Sequence, residues 1–249
     1  MIEYVDLETA RAARGVRMVV TNLVPSPWGE AAKALFRIAG VKVLAVRSQR
    51  GDAAQDAWTH AHNVPVVFHD DEPARTVWSQ IVALAARLSG TLLQADIDRR
   101  TRTIGLIHEI AGEDGLGWNA RLLMIHVALT EGRGFPKPVA HYLAAKYGYT
   151  PDLVDAARGR ARAILTTLAA ELGDATYFGG ATPGALDAYC ATFLTPLTPI
   201  TEEQCPAMAP ALRVAFGVAA EQLGPHLPAA LRAHRDRMFA QHLAWPIAL

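Results

Sequence analysis

Two short motifs in this chain carry residues whose chemistry suits the binding of an extended peptide. The first, Asn63-Val64-Pro65-Val66-Val67-Phe68, is typical of a strand that follows an X-Pro bond. The second, Trp78-Ser79-Gln80-Ile81, marks the start of an apolar helix. A strand that begins at a proline leaves backbone groups unpaired, and a serine at a helix start offers a hydroxyl and free N–H groups. Together they predict a site that holds a small extended peptide by its main chain.

The hydrophobic pattern indicates which elements must position these motifs. In the first part of the chain, strands are predicted over 17–24, 41–46, 65–68 and 75–78, and helices over 28–39 and 79–88, while the ambiguous pattern over 52–62 is predicted to be helical in part. The clearest helix places one apolar face on Trp28, Ala31, Ala32, Leu35, Phe36 and Ala39, and Gly40 ends it. After an Ala/Arg-rich lead-in over 1–16 with one short helix, the first 90 residues therefore follow the order β-α-β-α-β-β-α.

The strand signals fade after Gly90, and this change in pattern predicts a domain boundary. Helices are predicted near 91–112, 117–131, 137–147, 151–172, 185–195, 207–223 and 226–243. We therefore expect an α/β domain over 17–89 and an all-α domain over 91–249.

Bulk properties exclude several classes of protein. The chain of 249 residues is 51% hydrophobic and 19% charged, which is ordinary for a globular protein. Its formal net charge is zero, so no long-range field attracts nucleic acid or an anionic membrane. No apolar run is long enough for a membrane span. The first 17 residues lack the apolar core of a signal peptide, which favours a cytoplasmic location.

Cysteine and histidine spacing give no sign of a metal or redox centre. Cys190 and Cys205 are too few for a disulfide framework. The group His60, His62 and His69 does not have the spacing of a common zinc site, so we predict no metal.

The order of elements and three local motifs resemble the glutathione S-transferase family. Val64-Pro65 matches the family's Val-Pro, Ser79 matches the serine of its Glu/Gln-Ser motif, and Pro183-Gly184-Ala185-Leu186-Asp187 is similar to its Pro-Ser-x-Ala-Asp element. The resemblance runs from about residue 17 onward. It implies a thioredoxin-like, glutathione-binding first domain, a cis Val64-Pro65 bond and an Asp187 that supports folding rather than chemistry.

The resemblance also implies a catalytic residue. Ser26 stands in the turn after the first predicted strand, where relatives carry a catalytic serine or cysteine. A free thiol has a pKa of about 8.5, and a hydroxyl that donates a hydrogen bond to the sulfur stabilises the thiolate. The N-terminus of the next helix adds positive potential. The alternative is an ordinary N-cap serine followed by Pro27 at the first helical position.

In this scheme glutathione contacts both motifs. The backbone of Val64 beside Pro65 pairs with the cysteinyl part, Ser79 binds the γ-glutamyl carboxylate, Asn63 approaches the peptide from the side and Trp28 forms a wall near the sulfur. Trp78 departs from the family pattern, which has Glu or Gln there. Its ring is either a cation–π partner of the γ-glutamyl ammonium, at about 0.5–1 kcal/mol, or an aromatic residue of the core.

These implications define the expected function. The resemblance predicts a glutathione transferase that uses glutathione as co-substrate, has no bound cofactor and forms a homodimer. The small electrophile is expected between the domains, with Trp118, Arg121 and Leu122 as lining residues. A non-catalytic binding or regulatory protein with the same fold is the alternative, and a glutathione peroxidase or isomerase differs only in the second substrate.

Overall fold

The structure is a computed structural model that describes all 249 residues. Its N-terminal part contains a four-stranded sheet of order β1-β3-β2-β4, formed by β1 (Ile2–Tyr4), β2 (Val16–Val20), β3 (Val43–Arg47) and β4 (Val66–His69). β1 and β2 run parallel to β3, whereas β4 is antiparallel to β2. The accompanying helices are α1 (Leu7–Ala12), α2 (Pro27–Ile38), α3 (Ala53–Thr59) and α4 (Trp78–Ser89). This α/β domain has the expected thioredoxin-like architecture.

Residues 1–16 contribute more to the sheet than a lead-in would. They contain the predicted short helix, but Ile2 to Tyr4 also form an edge strand in register with Val43 to Ala45. A strand of three residues is too short to show a period-2 pattern, so the sequence carries no usable signal for it.

The strand predicted over 75–78 is wrong, because only one of its residues pairs. Arg75 exchanges two backbone hydrogen bonds with Val67, of 2.8 and 2.9 Å. The chain then turns into α4 at Trp78, where the Ile81 N–H donates to the carbonyl of Val77 at 3.1 Å. The apolar residues at 77 and 78 therefore belong to a helix start, which a short apolar run does not distinguish from a strand.

The C-terminal part is entirely helical, as predicted. Its helices are α5 (Ile97–Ala111), α6 (Leu116–Thr130), α7 (Lys137–Tyr147), α8 (Val154–Leu172), α9 (Ala185–Leu194), α10 (Pro210–Leu223) and α11 (Ala229–Gln241). Along α8 the predicted apolar stripe is buried from Ala157 to Leu172, although its first member, Leu153, is exposed. No helix combines the length and the apolar character needed to cross a bilayer.

One hydrophobic core joins the two parts. All ten residues of α9 are buried, and this helix packs on α2 of the first domain as well as on α5 and α11. The core cluster includes Leu35 and Phe36 of α2 together with Tyr189 and Phe193 of α9. Packing against α9 of the helical domain therefore fixes the position of α2.

Asp187 holds the start of α9 in place. Its carboxylate accepts hydrogen bonds from the backbone N–H groups of Gly184 at 2.8 Å and Phe178 at 3.1 Å. Nε2 of the buried His234 lies 2.8 Å from the same side chain. Asp187 thus has the structural role that the resemblance implies.

We predict that Asp187→Ala lowers the free energy of unfolding by about 2–4 kcal/mol, because it leaves the buried His234 donor and the partly buried N–H groups of Gly184 and Phe178 without an acceptor. Urea denaturation measures the change. Asp187→Asn keeps one acceptor oxygen, so its free energy of unfolding should lie between those of the natural protein and Asp187→Ala. The exposed Asp174→Ala is the control, and an equal loss in both alanine variants would contradict the prediction.

Candidate functional site

The fold brings three of the predicted site residues to one edge of the sheet. β2 ends at Val20, and its antiparallel register pairs Val19 with Val66, so the turn that carries Ser26 leaves the sheet beside Pro65. The antiparallel bridge between Val67 and Arg75 then returns the chain toward the same edge, where α4 begins. We call the group Ser26, Val64 and Ser79 the binding edge.

Val64 presents an unpaired backbone. The Val64-Pro65 peptide bond is cis, as the resemblance implies. β4 begins only at Val66, and neither the N–H nor the carbonyl of Val64 has a backbone hydrogen-bond partner. Pro65 and the first residues of β4 after it are buried, so the free groups of Val64 are attached to a rigid part of the sheet. They can pair with an added extended peptide.

Ser79 lies in the first turn of α4 but does not cap it. The N-cap residue is Val77, Trp78 is the first helical residue and Ser79 is the second. Ser79 is therefore not the N-cap residue of α4. Its hydroxyl and its N–H have no partner within the protein. The start of α4 favours an anionic ligand group, because free N–H groups and the positive end of the helix dipole both lie there.

Ser26 occupies the N-cap position of α2 without making the side-chain bond of a cap. Its backbone N–H donates to the Val24 carbonyl at 2.8 Å, and its carbonyl accepts from the Glu30 N–H at 2.8 Å. The amides of Trp28 and Gly29 have no acceptor in the protein. A hydroxyl and two amides are thus free at a helix start, which is an arrangement that stabilises a thiolate.

Trp28 connects this helix start to the helical domain. Its indole N–H donates to the Ala111 carbonyl at 2.9 Å, and its ring meets Phe193 edge to face at 4.9 Å between centroids. Gly117 lets the rings approach, because a Cβ there would lie 2.5 Å from Phe193 and 3.0 Å from Trp28. Trp28 therefore offers a ligand only its apolar ring, and its polar atom holds the domains together.

Trp78 is half-buried and also faces the helical domain. Its ring centroid lies 6.0 Å from that of His108 and 6.2 Å from that of Tyr189. This packing favours the core role for Trp78 over the cation–π role.

Asn63 is engaged by the helical domain, in a contact that the sequence did not reveal. Its side-chain carbonyl accepts a hydrogen bond of 2.6 Å from Nζ of Lys146, near the end of α7. The two residues are 83 positions apart, and no local pattern links them. Lys146 therefore reaches the residue next to Val64.

The residues predicted to line the electrophile site differ in their accessibility. Trp118 and Arg121 are half-buried, and the Trp118 ring meets the Tyr147 ring at 4.7 Å between centroids. Leu122 is only 4% exposed and belongs to the core of the helical domain. Leu122 is therefore packed in the interior and does not line an accessible site, contrary to the prediction.

An ion cluster around Glu72 fastens α4 to the sheet. The carboxylate lies 2.6 Å from Nδ1 of His69, accepts from Arg75 and accepts from Arg87 of α4 at 2.6 and 2.7 Å. The hydrogen bonds from His69, Arg87 and Arg75 lower the pKa of Glu72 to about 2. His69 is thus a partner of a carboxylate, and α4, which carries Ser79, is held at the end of β4.

Comparison with known proteins agrees with this architecture. Residues 151–237 match the family model of the glutathione S-transferase C-terminal domain. No curated protein matches the chain in sequence. Among solved structures, a glutathione transferase family member from Pseudomonas fluorescens Pf-5 with two glutathione molecules bound is 14% identical, with a TM-score of 0.62 over 92% of this chain and 89% of that one.

Two further structures have similar scores. A glutathione S-transferase from Methylobacterium radiotolerans in complex with glutathione sulfonate is 17% identical, with a TM-score of 0.59 over 94% of this chain and 97% of that one. A rice glutathione transferase in complex with glutathione is 19% identical, with a TM-score of 0.55 over 94% and 93% of the two chains. The chain therefore has the glutathione transferase fold and carries that family's C-terminal domain, which confirms the resemblance.

We predict that the stability contribution of Glu72 depends on pH. The pKa is about 2 in the folded state, against an ordinary value of 4.5. Because a lowered pKa favours the folded state when the carboxyl is ionised, the contribution is complete above pH 4.5 and declines as the pH falls toward 2. Urea unfolding of the natural protein and Glu72→Gln should differ most at neutral pH and converge in acid.

Glu113→Gln is the control for this experiment, since Glu113 is exposed and has no ion-pair partner. A difference between natural protein and Glu72→Gln that stays constant from pH 7 to pH 3 would show that the ion cluster does not titrate as proposed.

Proposed function

We propose that this protein is a glutathione transferase in which Ser26 stabilises the glutathione thiolate. The observation that carries the proposal is the free polar groups at the start of α2: the Ser26 hydroxyl makes no capping bond, and the Trp28 and Gly29 amides have no acceptor. A thiolate placed there would accept from all of them. The glutathione found in structures of the same fold supports this choice of ligand.

The binding edge supplies the remaining contacts of the peptide. The cysteinyl backbone of glutathione would pair with the free N–H and carbonyl of Val64, which fixes the sulfur relative to Ser26. The γ-glutamyl carboxylate would accept hydrogen bonds from the hydroxyl and N–H of Ser79 at the start of α4. These groups belong to two helix starts and one strand, so the site is held by rigid elements.

The reaction follows from this placement. The thiol proton passes to solvent as the bound thiolate forms, and Ser26 and the helix amides stabilise the negative sulfur. The thiolate then attacks an electrophilic carbon between the domains, a C–S bond forms, and the leaving group departs with the electron pair of the broken bond. The protein contributes a lowered thiol pKa and a fixed orientation of the two reactants.

A non-catalytic binding protein is the second candidate, and two observations favour it. Trp78 replaces the expected acceptor for the γ-glutamyl ammonium, and Asn63 is already bonded to Lys146. Both features weaken the expected contacts with glutathione without touching Ser26. Binding of glutathione without conjugation of any electrophile would distinguish this candidate from the enzyme.

We predict that Ser26→Ala lowers kcat/KM for conjugation at pH 7 about 10–100-fold. A hydrogen bond to a charged group contributes about 1.5–3 kcal/mol, which corresponds to a rise of about one to two units in the pKa of the bound thiol. The pH profile of kcat/KM with 1-chloro-2,4-dinitrobenzene measures both effects. Ser48→Ala is the matched control, because Ser48 is half-buried just after β3. An unchanged profile in Ser26→Ala would move the catalytic role to another residue.

We predict that Ser79→Ala raises the Kd for glutathione about 10-fold and leaves the thiol pKa unchanged, since it removes one donor to a carboxylate far from the sulfur. Titration followed by tryptophan fluorescence measures the Kd, with Trp28 and Trp78 close to the ligand. Ser89→Ala, at the other end of α4, is the control. If the natural protein binds no glutathione up to millimolar concentration, the proposed function is wrong.

A further inference from the structure

Three cationic side chains lie where α6 and α7 of the helical domain pack together and contact loops of the sheet domain. Arg50 follows β3, Arg121 lies on α6 and Lys146 lies near the end of α7. None of them takes part in any of the ion pairs of the protein. We call these three residues the cation group.

Each member contacts neutral partners instead of carboxylates. The Arg121 guanidinium lies 5.3 Å from the ring centre of Phe135 and 5.9 Å from that of Phe216, and its polar neighbours are the Met124 sulfur at 3.8 Å and the Tyr147 hydroxyl. Lys146 lies 5.8 Å from the Tyr147 ring centre and donates to Asn63. The third cation, Arg50, lies 5.0 Å from the Tyr142 ring centre. Aromatic rings and an amide tolerate a cation, but they do not neutralise it.

The charges of the group affect one another. Burial, and then the positive charges of Arg121 and Arg50, lower the pKa of Lys146. Burial likewise lowers the pKa of Arg121. Like charges without carboxylate partners repel one another, and an anion bound between them relieves this repulsion.

The cation group lies next to two aromatic rings of the helical domain. Trp118 is three residues before Arg121 on α6, and its ring contacts Tyr147, the neighbour of Lys146 on α7. Two of the three cations and both rings therefore belong to the helical domain, on which the proposed function places the second substrate, whereas the binding edge proposed for glutathione belongs to the sheet domain.

We propose that the cation group binds a carboxylate of the second substrate, so that the preferred electrophiles are aryl or apolar acids. The aryl or apolar part would lie along Trp118 and Tyr147, and the carboxylate would face Lys146 and Arg121. This inference rests on the proposed function, because it assigns the substrate class of the same cleft. In the reaction with a chloroaryl acid, the C–S bond forms, the C–Cl bond breaks and chloride leaves with its electron pair.

A binding experiment tests the anion site without requiring catalysis. The probes are 3,5-dinitrobenzoate and its methyl ester, which share a ring that quenches tryptophan fluorescence and differ in charge. We expect the acid to bind the natural protein at least 10-fold more tightly than the ester. Lys146→Met should remove most of this preference and leave ester binding unchanged, whereas Lys146→Arg should retain it.

Lys137→Met is the matched control, since Lys137 is an exposed lysine at the first position of the same helix and has no ion-pair partner. Equal affinity for acid and ester would overturn the inference, and so would an equal loss of preference in Lys137→Met. Unchanged ester binding in Lys146→Met shows that the variant is folded.

A conjugation experiment separates the two carboxylates that the group could bind. The probes are 4-chloro-3,5-dinitrobenzoate and its methyl ester, assayed with glutathione. Lys146→Met should raise the KM for the acid about 10-fold with little change for the ester, and because it also frees Asn63, the KM for glutathione should stay the same or fall. If it raises the KM for glutathione and leaves the acid-to-ester ratio unchanged, the group binds the glycyl carboxylate and the inference is wrong. Acid-selective binding with conjugation of neither probe would overturn the proposed function while it confirms the anion site.

Discussion

The packing of α2 against α9 is the contact on which the rest of the structure depends. α2 buries Ala31, Ala32, Leu35 and Phe36 almost completely, and α9 is buried along its whole length. Small residues on both helices let them approach closely, so that the sheet domain and the helical domain share one core. The N-terminus of α2 lies at the binding edge. The position of Ser26 is therefore determined by packing that extends well away from the site, and the Trp28 hydrogen bond to Ala111 adds a polar tie at the same junction.

The sequence predicted the parts of this arrangement that repeat along the chain. The apolar face of α2, the stripe along α8 and the change from strands to helices after Gly90 are periodic signals over ten residues or more, and the structure confirms them. Short elements are different. β1 spans three residues, and the segment after Arg75 contains too few apolar residues to distinguish a strand from a helix start. At this scale the tertiary context decides the conformation, because neighbouring strands and helices supply the hydrogen bonds.

The candidate site divides in the same way. Val64-Pro65, Ser79 and Ser26 could be placed because each is a local motif whose position in the order of elements is informative. The contact between Lys146 and Asn63 could not, since it joins an exposed helix residue to a loop residue across the domain boundary. The burial of Leu122 and the partner of the Trp28 N–H depend on how two helices are rotated against a neighbour. A zero net charge, too, says nothing about the local balance of charge: Glu72 is surrounded by His69, Arg75 and Arg87, whereas Arg121 and Lys146 have no carboxylate partner.

The free groups at the start of α2 connect the fold to its chemistry. A serine at the N-cap position usually accepts a hydrogen bond from the helix, and this bond contributes about 0.5–2 kcal/mol. Here the Ser26 hydroxyl does not make it, and the two following amides are also without acceptors, although the helix body is rigidly buried. Half-buried donors without partners cost free energy unless water or a ligand satisfies them. An unpaired Val64 backbone would result from any strand that begins at a proline in this fold. Asp6, Asp52 and Asp96 accept backbone hydrogen bonds at the starts of their helices, whereas Ser26 does not, and this difference supports a negatively charged ligand atom at the start of α2.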